Sequence, residues 1–329
     1  MTFSAPKHDI VDVLMWTDLH SNITRIYADG EITNTTTQQF KEFVNANKIK
    51  NAMVLLNSGG GSLLEGMRLG STIRDLGFDT GIATYSNLKM IEEGICASAC
   101  AYTFAGGIGR YYSGKGTKIG IHQFYSQAPN MSTQSSQEVS GVIVAYLEKM
   151  GVDALAFSAS TLAGADNMLW LTVQDAEKLQ LSNNGALPTT AELKQSKTNT
   201  YLKIEQQRRN GSGRLIFLCE KKKINLFGGL VADAEDANLK VGWATHSFLT
   251  FDNNQIQLEM KTANPKSLKV IGDVSWVPRT LTNNDLNKLK DSNTITVGIG
   301  AYDAMAYTAI VDISKVKDKI GNFVNNCTQ

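Results

Sequence analysis

The chain has 329 residues, 42% hydrophobic and 19% charged, enough material for two domains that each bury a core. Its 32 basic and 31 acidic residues leave a net charge of +1, which gives no broad attraction for nucleic acid or an anionic membrane. No apolar run approaches the roughly 18 residues of a membrane span, and the start, MTFSAPKHDIVDVLMW, lacks the basic-then-apolar pattern of a signal peptide.

The first half alternates strand and helix signals. TRIYADG (residues 24–30) reads as a strand, and TNTTTQQFKEFVNAN as a helix with Thr35 and Gln38 at capping-box spacing and Phe40, Phe43 and Val44 on one face. NAMVLLNS (residues 51–58) is a continuous apolar run suited to a strand buried on both faces. After GGG, Ser62 and Glu65 form a second capping box, and Leu63, Met67, Gly70 and Ile73 keep helical spacing until Gly77. DTGIATY predicts a strand, residues 98–105 a helix, TKIGIH a strand and residues 137–150 a helix. Strands alternating with helices predict an α/β unit with mostly parallel pairing.

From Pro188 the composition turns polar, and residues 188–211 read as a helical connector ending at Gly211 to Gly213. The runs RLIFLCE, KINLFGGL, VGWATHSFLTF, QIQLEMK, LKVIGDVSW and TITVGIGAY then predict a smaller β-rich domain over residues 212–329, closed by a helix. The basic cluster Lys221 to Lys223 reads as a solvated strand end or loop.

Three features carry chemistry. The glycines of LLNSGGGS, between a buried strand and a capped helix, can leave backbone N–H groups pointing outward, as an oxyanion site requires. They lack the Gly-Lys-Ser/Thr ending of a P-loop and the spacing of a dinucleotide fingerprint, and a tight turn is the simpler alternative. Ser98 lies in CASAC, flanked by small residues at a predicted helix start, where it is either an N-cap or a nucleophile. His122 ends a short apolar strand, from which it can act as a general base or be merely structural. The four histidines, His8, His20, His122 and His246, and the four cysteines are too scattered for a zinc site, so no metal or cofactor is expected.

In this order and spacing the three features resemble the proteolytic subunit of Clp proteases, of the Clp/crotonase superfamily, over residues 51–183. NSGGGS resembles that family's Asn-Ser-Pro-Gly-Gly-Ser loop with Gly59 in the proline's place, ASA its nucleophile turn and GIHQF its His-Gln motif. The chain is most like a branch of bacterial envelope proteins with a Cys-x-Ser-Ala-Cys motif, a Gly-Gly-x-x-Arg segment (Gly106, Gly107 and Arg110) and a C-terminal β-domain ending in cysteine. The resemblance implies a Clp/crotonase-type βαβ spiral core spanning residues 1–187. It further implies Ser98 as nucleophile, His122 as general base, and an oxyanion hole of the Gly60 and Ala99 N–H groups with Gly61 shaping the loop. The family sets an aspartate shortly before an aromatic-Leu-Ser segment. Trp170, Leu171 and Thr172 offer that segment, but the slot itself falls on Met168. Asp166 is therefore the expected third member, with Asn167 second.

Cys96 and Cys100 are too far apart for a bridge inside a regular helix, but Cys96 should lie on the turn entering it, and there the family likeness implies a disulfide. The alternative is two reduced, buried cysteines. Pairing of Cys219 with Cys327 would tie the terminal helix to the second domain, and two bridges favour an oxidising, periplasmic or exported setting; a chain from which no signal was removed would be cytoplasmic. The expected function is a serine peptidase acting on a peptide or protein and self-associating as Clp relatives do. The alternatives are a catalytically vestigial envelope binding protein and a crotonase-like acyl-CoA enzyme, which would need no serine–histidine pair.

Overall fold

The computed structural model describes residues 1–6, 23–87, 89–124, 133–164, 166–196, 199–208, 211–252, 257–258, 268–301 and 305–328. His8, His20 and most of the amino-terminal stretch discussed above lie outside them, as does most of QIQLEMK. The chain divides into two units, Met1–Gly185 and Ala186–Gln329. None of the described helices is long and apolar enough to cross a membrane.

The first unit is α/β. It contains β1 (Thr2–Ser4), β2 (Thr24–Asp29), α1 (Thr36–Ala46), β3 (Ala52–Asn57), α2 (Leu63–Asp75) and β4 (Asp79–Ile82). The four strands form one sheet of order β1-β2-β3-β4, parallel from β2 to β4 with β1 antiparallel at the edge. A hairpin of β5 (Thr84–Ser86) and β6 (Lys89–Ile91) leads to β7 (Gly94–Ala97), α3 (Ala99–Ala105) and β8 (Thr117–Ile121). Then come α4 (Thr133–Lys149), α5 (Leu155–Ser160), β9 (Leu169–Leu171) and α6 (Val173–Lys178). In the second sheet β7 and β8 run parallel and β9 antiparallel to β8. As the apolar run required, β3 is buried on both faces: Val54 and Leu56 enter the main core, while Leu55 joins Tyr27 and Ala83 on the other side.

Both capping boxes close differently from the sequence reading. Thr35 has helix-like dihedrals and its side chain caps nothing; the Thr33 N–H is instead met by Thr36 Oγ1 at 2.9 Å, and Gln38 donates to Glu42. Ser62 does accept from the Glu65 N–H. The buried Glu65 carboxylate, however, reaches the Thr37 N–H at 2.8 Å and so fastens the start of α1 to α2. A tertiary donor has displaced the local one.

Glycine lets α2 lie directly on α3. A Cβ at Gly66 would come within 2.5 Å of the Ala99 carbonyl oxygen. Beneath them Tyr146 Oη donates to the Tyr102 carbonyl at 2.6 Å. Burial raises the Tyr146 phenol above its ordinary value and pushes Tyr102 up to about 12. The fold therefore prefers neutral phenols. That preference leaves stability intact below pH 10 and removes it as pH rises toward 12. Alkaline titration is expected to unfold this unit in that window, with tyrosinate absorbance rising as circular dichroism falls, and Tyr102→Phe should flatten the pH dependence.

The second unit contains β10 (Thr190–Gln195), β11 (Thr200–Gln206), β12 (Ser212–Glu220), β13 (Lys223–Val231), α7 (Ala234–Gly242), β14 (His246–Phe251) and β15 (Gln257–Leu258). After them come β16 (Lys269–Ile271), β17 (Val274–Thr280), α8 (Asn283–Asp291), β18 (Thr294–Ala301), β19 (Met305–Asp312) and α9 (Lys317–Thr328). Two antiparallel sheets, β10-β11-β12-β13-β17-β16 and β15-β14-β18-β19, share one core built on Leu215, Phe217, Leu226, Leu249, Val297 and Val311. Residues 188–211 are thus no helical connector but two strands of the larger sheet. Leu202, Ile204 and Gln206 alternate inward along β11, while Lys203 and Glu205 on its outer face pair with each other and gave the stretch its polar look. VGWATHSFLTF likewise divides between the end of α7 and β14. Lys221 and Lys222 form the two-residue turn between β12 and β13, both at positive φ, as the basic cluster's loop reading expected.

Candidate active site

Two parallel strands bring the serine and histidine together. In the β7–β8 register Ala97 lies opposite Gly120, and the Ser98 N–H donates to the Gly120 carbonyl at 2.9 Å. Ser98 therefore leaves the carboxyl end of β7 where His122 leaves that of β8, the edge at which α/β sheets gather their ligand groups. His122 Nε2 and Ser98 Oγ are 2.7 Å apart. The chain beyond His122 is held by the Gln123 N–H on the Ala163 carbonyl at 2.9 Å.

Ser98 opens α3 but does not cap it with its side chain. Its backbone stands at φ 56°, ψ −123°, a conformation that costs a non-glycine residue about 1–3 kcal/mol and persists only where its surroundings impose it. The imposing contacts are visible. Cys96 on β7 and Cys100 on α3 are joined by a disulfide across the turn, with Cα atoms 5.0 Å apart. Because β7 is extended and only α3 is helical, the regular-helix obstacle to this bridge does not arise. The second disulfide joins Cys219 on β12 to Cys327 on α9.

The far end of α3 is held by arginines. Arg74 donates to the carbonyls of Ala105, Gly106, Gly107 and Met150. Arg110, only 4% exposed, donates to Gly107, Met150, Gln180 and Leu181. Burial, and secondarily the neighbouring Arg74, lower the Arg110 guanidinium to about 10, so it stays cationic over the neutral range. Carbonyl dipoles at a helix carboxyl end suit such cations.

The glycine loop lies against the serine. A Cβ on Gly60 would fall 2.7 Å from Ser98 Cβ and 3.2 Å from the Ala99 nitrogen. The Gly60 N–H, expected as an oxyanion donor, is held by Ser58 Oγ at 3.1 Å. The N–H groups of Gly61 and Ala99 make no hydrogen bond to another described residue. Asp166 is not brought to the pair: its side chain is exposed and makes no hydrogen bond or ion pair with His122. Asn167 is exposed as well, and its N–H turns back to Gly164. The loop before β9 carries both side chains outward. Meanwhile Met168, in the family's slot, packs over Gly120. Among the described residues no cluster of three or more His, Cys, Asp or Glu could hold a metal ion.

Sequence reasoning passed over Ser58 and Asn57, whose side chains bind the glycine loop and β7. Their only signal was their place directly before three glycines, where side-chain hydrogen bonds commonly stand in for backbone ones.

No family model matches the sequence, and no curated protein matches it. Among solved structures the chain is similar to a mutant of a membrane-bound stomatin-specific protease, at 20% identity over 48% of this chain and 75% of that one, with a TM-score of 0.33. It is also similar to the ClpP protease catalytic domain from Plasmodium falciparum, at 18% identity over 48% of this chain and 81% of that one, with a TM-score of 0.33. The chemistry of the site rests on its own geometry.

Proposed function

We propose that the chain is a serine peptidase of Clp-like type, with Ser98 as nucleophile and His122 as general base. The observation that carries this reading is the 2.7 Å separation of Ser98 Oγ and His122 Nε2 at a backbone position held at positive φ. In the first step His122 takes the Ser98 proton as Oγ adds to the scissile carbonyl. It then returns that proton to the departing amine, leaving an acyl-enzyme that water hydrolyses with His122 again as base. The Ala99 N–H, at the head of α3, is one donor for the developing oxyanion. The second comes from the glycine loop, from Gly61 or from Gly60 once Ser58 Oγ releases it. Each such donor is worth ~3 kcal/mol in the transition state. Asp166 has no part in this scheme.

The substrate is a peptide or protein, and the working form is a homo-oligomer. Two disulfides support an oxidising compartment, and we assign the chain to the periplasm or the exterior. The test is incubation with a fluorophosphonate probe followed by intact mass. We expect one phosphonyl adduct per chain, absent from Ser98→Ala and reduced by about 1,000-fold or more in rate in His122→Ala. No adduct on the folded, disulfide-bonded protein would leave the binding-protein alternative, which the exposed Asp166 and the internally bonded Gly60 N–H favour.

A further inference from the structure

The strand that delivers Ser98 is joined to the main sheet by very little backbone. β3 ends at Asn57, and from there the chain turns into the glycine loop. Between β3 and β7 a single bridge remains, at Ser58 and Cys96, where Ser58 N–H donates to the Ile95 carbonyl at 2.7 Å and Ala97 N–H to the Ser58 carbonyl at 3.0 Å. One residue earlier no backbone acceptor is in line for the Ile95 N–H. It is met by a side chain: Asn57 Oδ1 accepts it at 3.1 Å.

The carboxamide is anchored at its other end. Asn57 Nδ2 donates to Asp29 Oδ1 at 3.0 Å, and Asp29 is the residue opposite Asn57 in the parallel β2–β3 register. A carboxylate only accepts and a backbone N–H only donates, so these two partners allow one orientation of the amide. Gly94 gives it room: a Cβ there would stand 3.1 Å from Asn57 Oδ1, and its φ of +144° disfavours any other residue. The line Asp29, Asn57, Ile95 thus crosses three strands and ends three residues before Ser98 on a strand pinned by the Cys96–Cys100 bridge.

We propose, resting on the Ser98–His122 reading, that Asn57 is a positioning residue: its side chain stands in for a backbone carbonyl and sets the height at which β7 presents Ser98 to His122. A misplacement of about 1 Å at a reacting centre can cost 100-fold in rate, so a side chain with no contact to substrate can govern the chemistry.

The experiment compares wild type with Asn57→Ala, Asn57→Asp and the reciprocal Asp29→Asn/Asn57→Asp. Each is read by the rate of fluorophosphonate labelling, by the nitrogen resonance of His122 Nε2, which reports its hydrogen bond to Ser98, and by the thermal midpoint. Asn57→Ala should slow labelling by about 10- to 100-fold and move the His122 resonance, with the protein still folded. Asn57→Asp keeps the size and the acceptor but sets two carboxylates against each other, and should do the same. The reciprocal pair restores one donor and one acceptor across the same gap, and should return labelling to within about threefold of wild type, together with the resonance. Unchanged labelling and resonance in Asn57→Ala would overturn the proposal, as would changes that the reciprocal pair leaves in place. If wild type takes no label, the reactive-serine reading fails and the His122 resonance decides alone: moved by Asn57→Ala and restored by the swap, the positioning role stands; unmoved, it falls.

Discussion

Gly60→Ala is expected to slow phosphonate labelling of Ser98 by about 100-fold or more while leaving the second unit's unfolding unchanged. The added methyl would meet Ser98 Cβ at 2.7 Å and the Ala97 carbonyl oxygen at 2.8 Å, both parts of the turn between β7 and α3. Neither can yield cheaply, since Ser98 already stands at positive φ and the Cys96–Cys100 bridge encloses it. Alanine at the φ of +109° found for Gly60 adds strain of its own. The two effects together come to about 2–6 kcal/mol, concentrated at the turn where the proposed mechanism forms its oxyanion. Gly59→Ala supplies the control, because a Cβ there meets nothing within 4 Å. It should label like wild type, and an equal loss in both variants would show that the loop responds to any added bulk and not to pressure on Ser98.

The two disulfides should differ widely in what their removal costs. Cys219 and Cys327 are 108 residues apart, and the loop-entropy relation gives about 5 kcal/mol for closing a loop of that length. Cys96 and Cys100 are 4 apart, worth about 2 kcal/mol on the same relation. Urea unfolding followed by hydrogen exchange, which reads each unit separately, should show Cys219→Ala/Cys327→Ala losing about 4–5 kcal/mol in the second unit, enough to unfold a marginal domain. Cys96→Ala/Cys100→Ala should cost far less stability but slow labelling, because it releases the turn at Ser98. Comparable stability losses from both pairs would contradict the assignment of separate roles.

The legible parts of the fold were those where local and tertiary demands agree. The run ending at Asn57 is apolar because both faces of β3 are covered, and Ser62 caps α2 with a bond its own segment supplies. His122 was legible because it follows directly on the apolar run of β8, whereas β7, only four residues long, was not predicted ahead of Ser98, and the two residues were paired through the family resemblance. Thr35 was misread because its segment has three further threonines, and Thr36 satisfies the backbone instead. β10 and β11 escaped because their outer faces are charged, and only the alternation of Leu202, Ile204 and Gln206 betrays them. Asp166 could not be located from spacing, since the loop before β9 has no periodicity to say where its side chains point. Asn57 was invisible for a different reason: its partners, Asp29 and Ile95, are 28 and 38 residues away.

The eight bonds that Arg74 and Arg110 send to carbonyl oxygens involve no carboxylate. An ion pair lets go when its acid takes up a proton, and an exposed one weakens in salt. Peptide carbonyls do neither, and a guanidinium at about 10 keeps its charge however far the medium is acidified. The root of the helix that carries Ser98 is thus fastened by a joint that vinegar and brine leave alone, a property that would suit the exported setting proposed above.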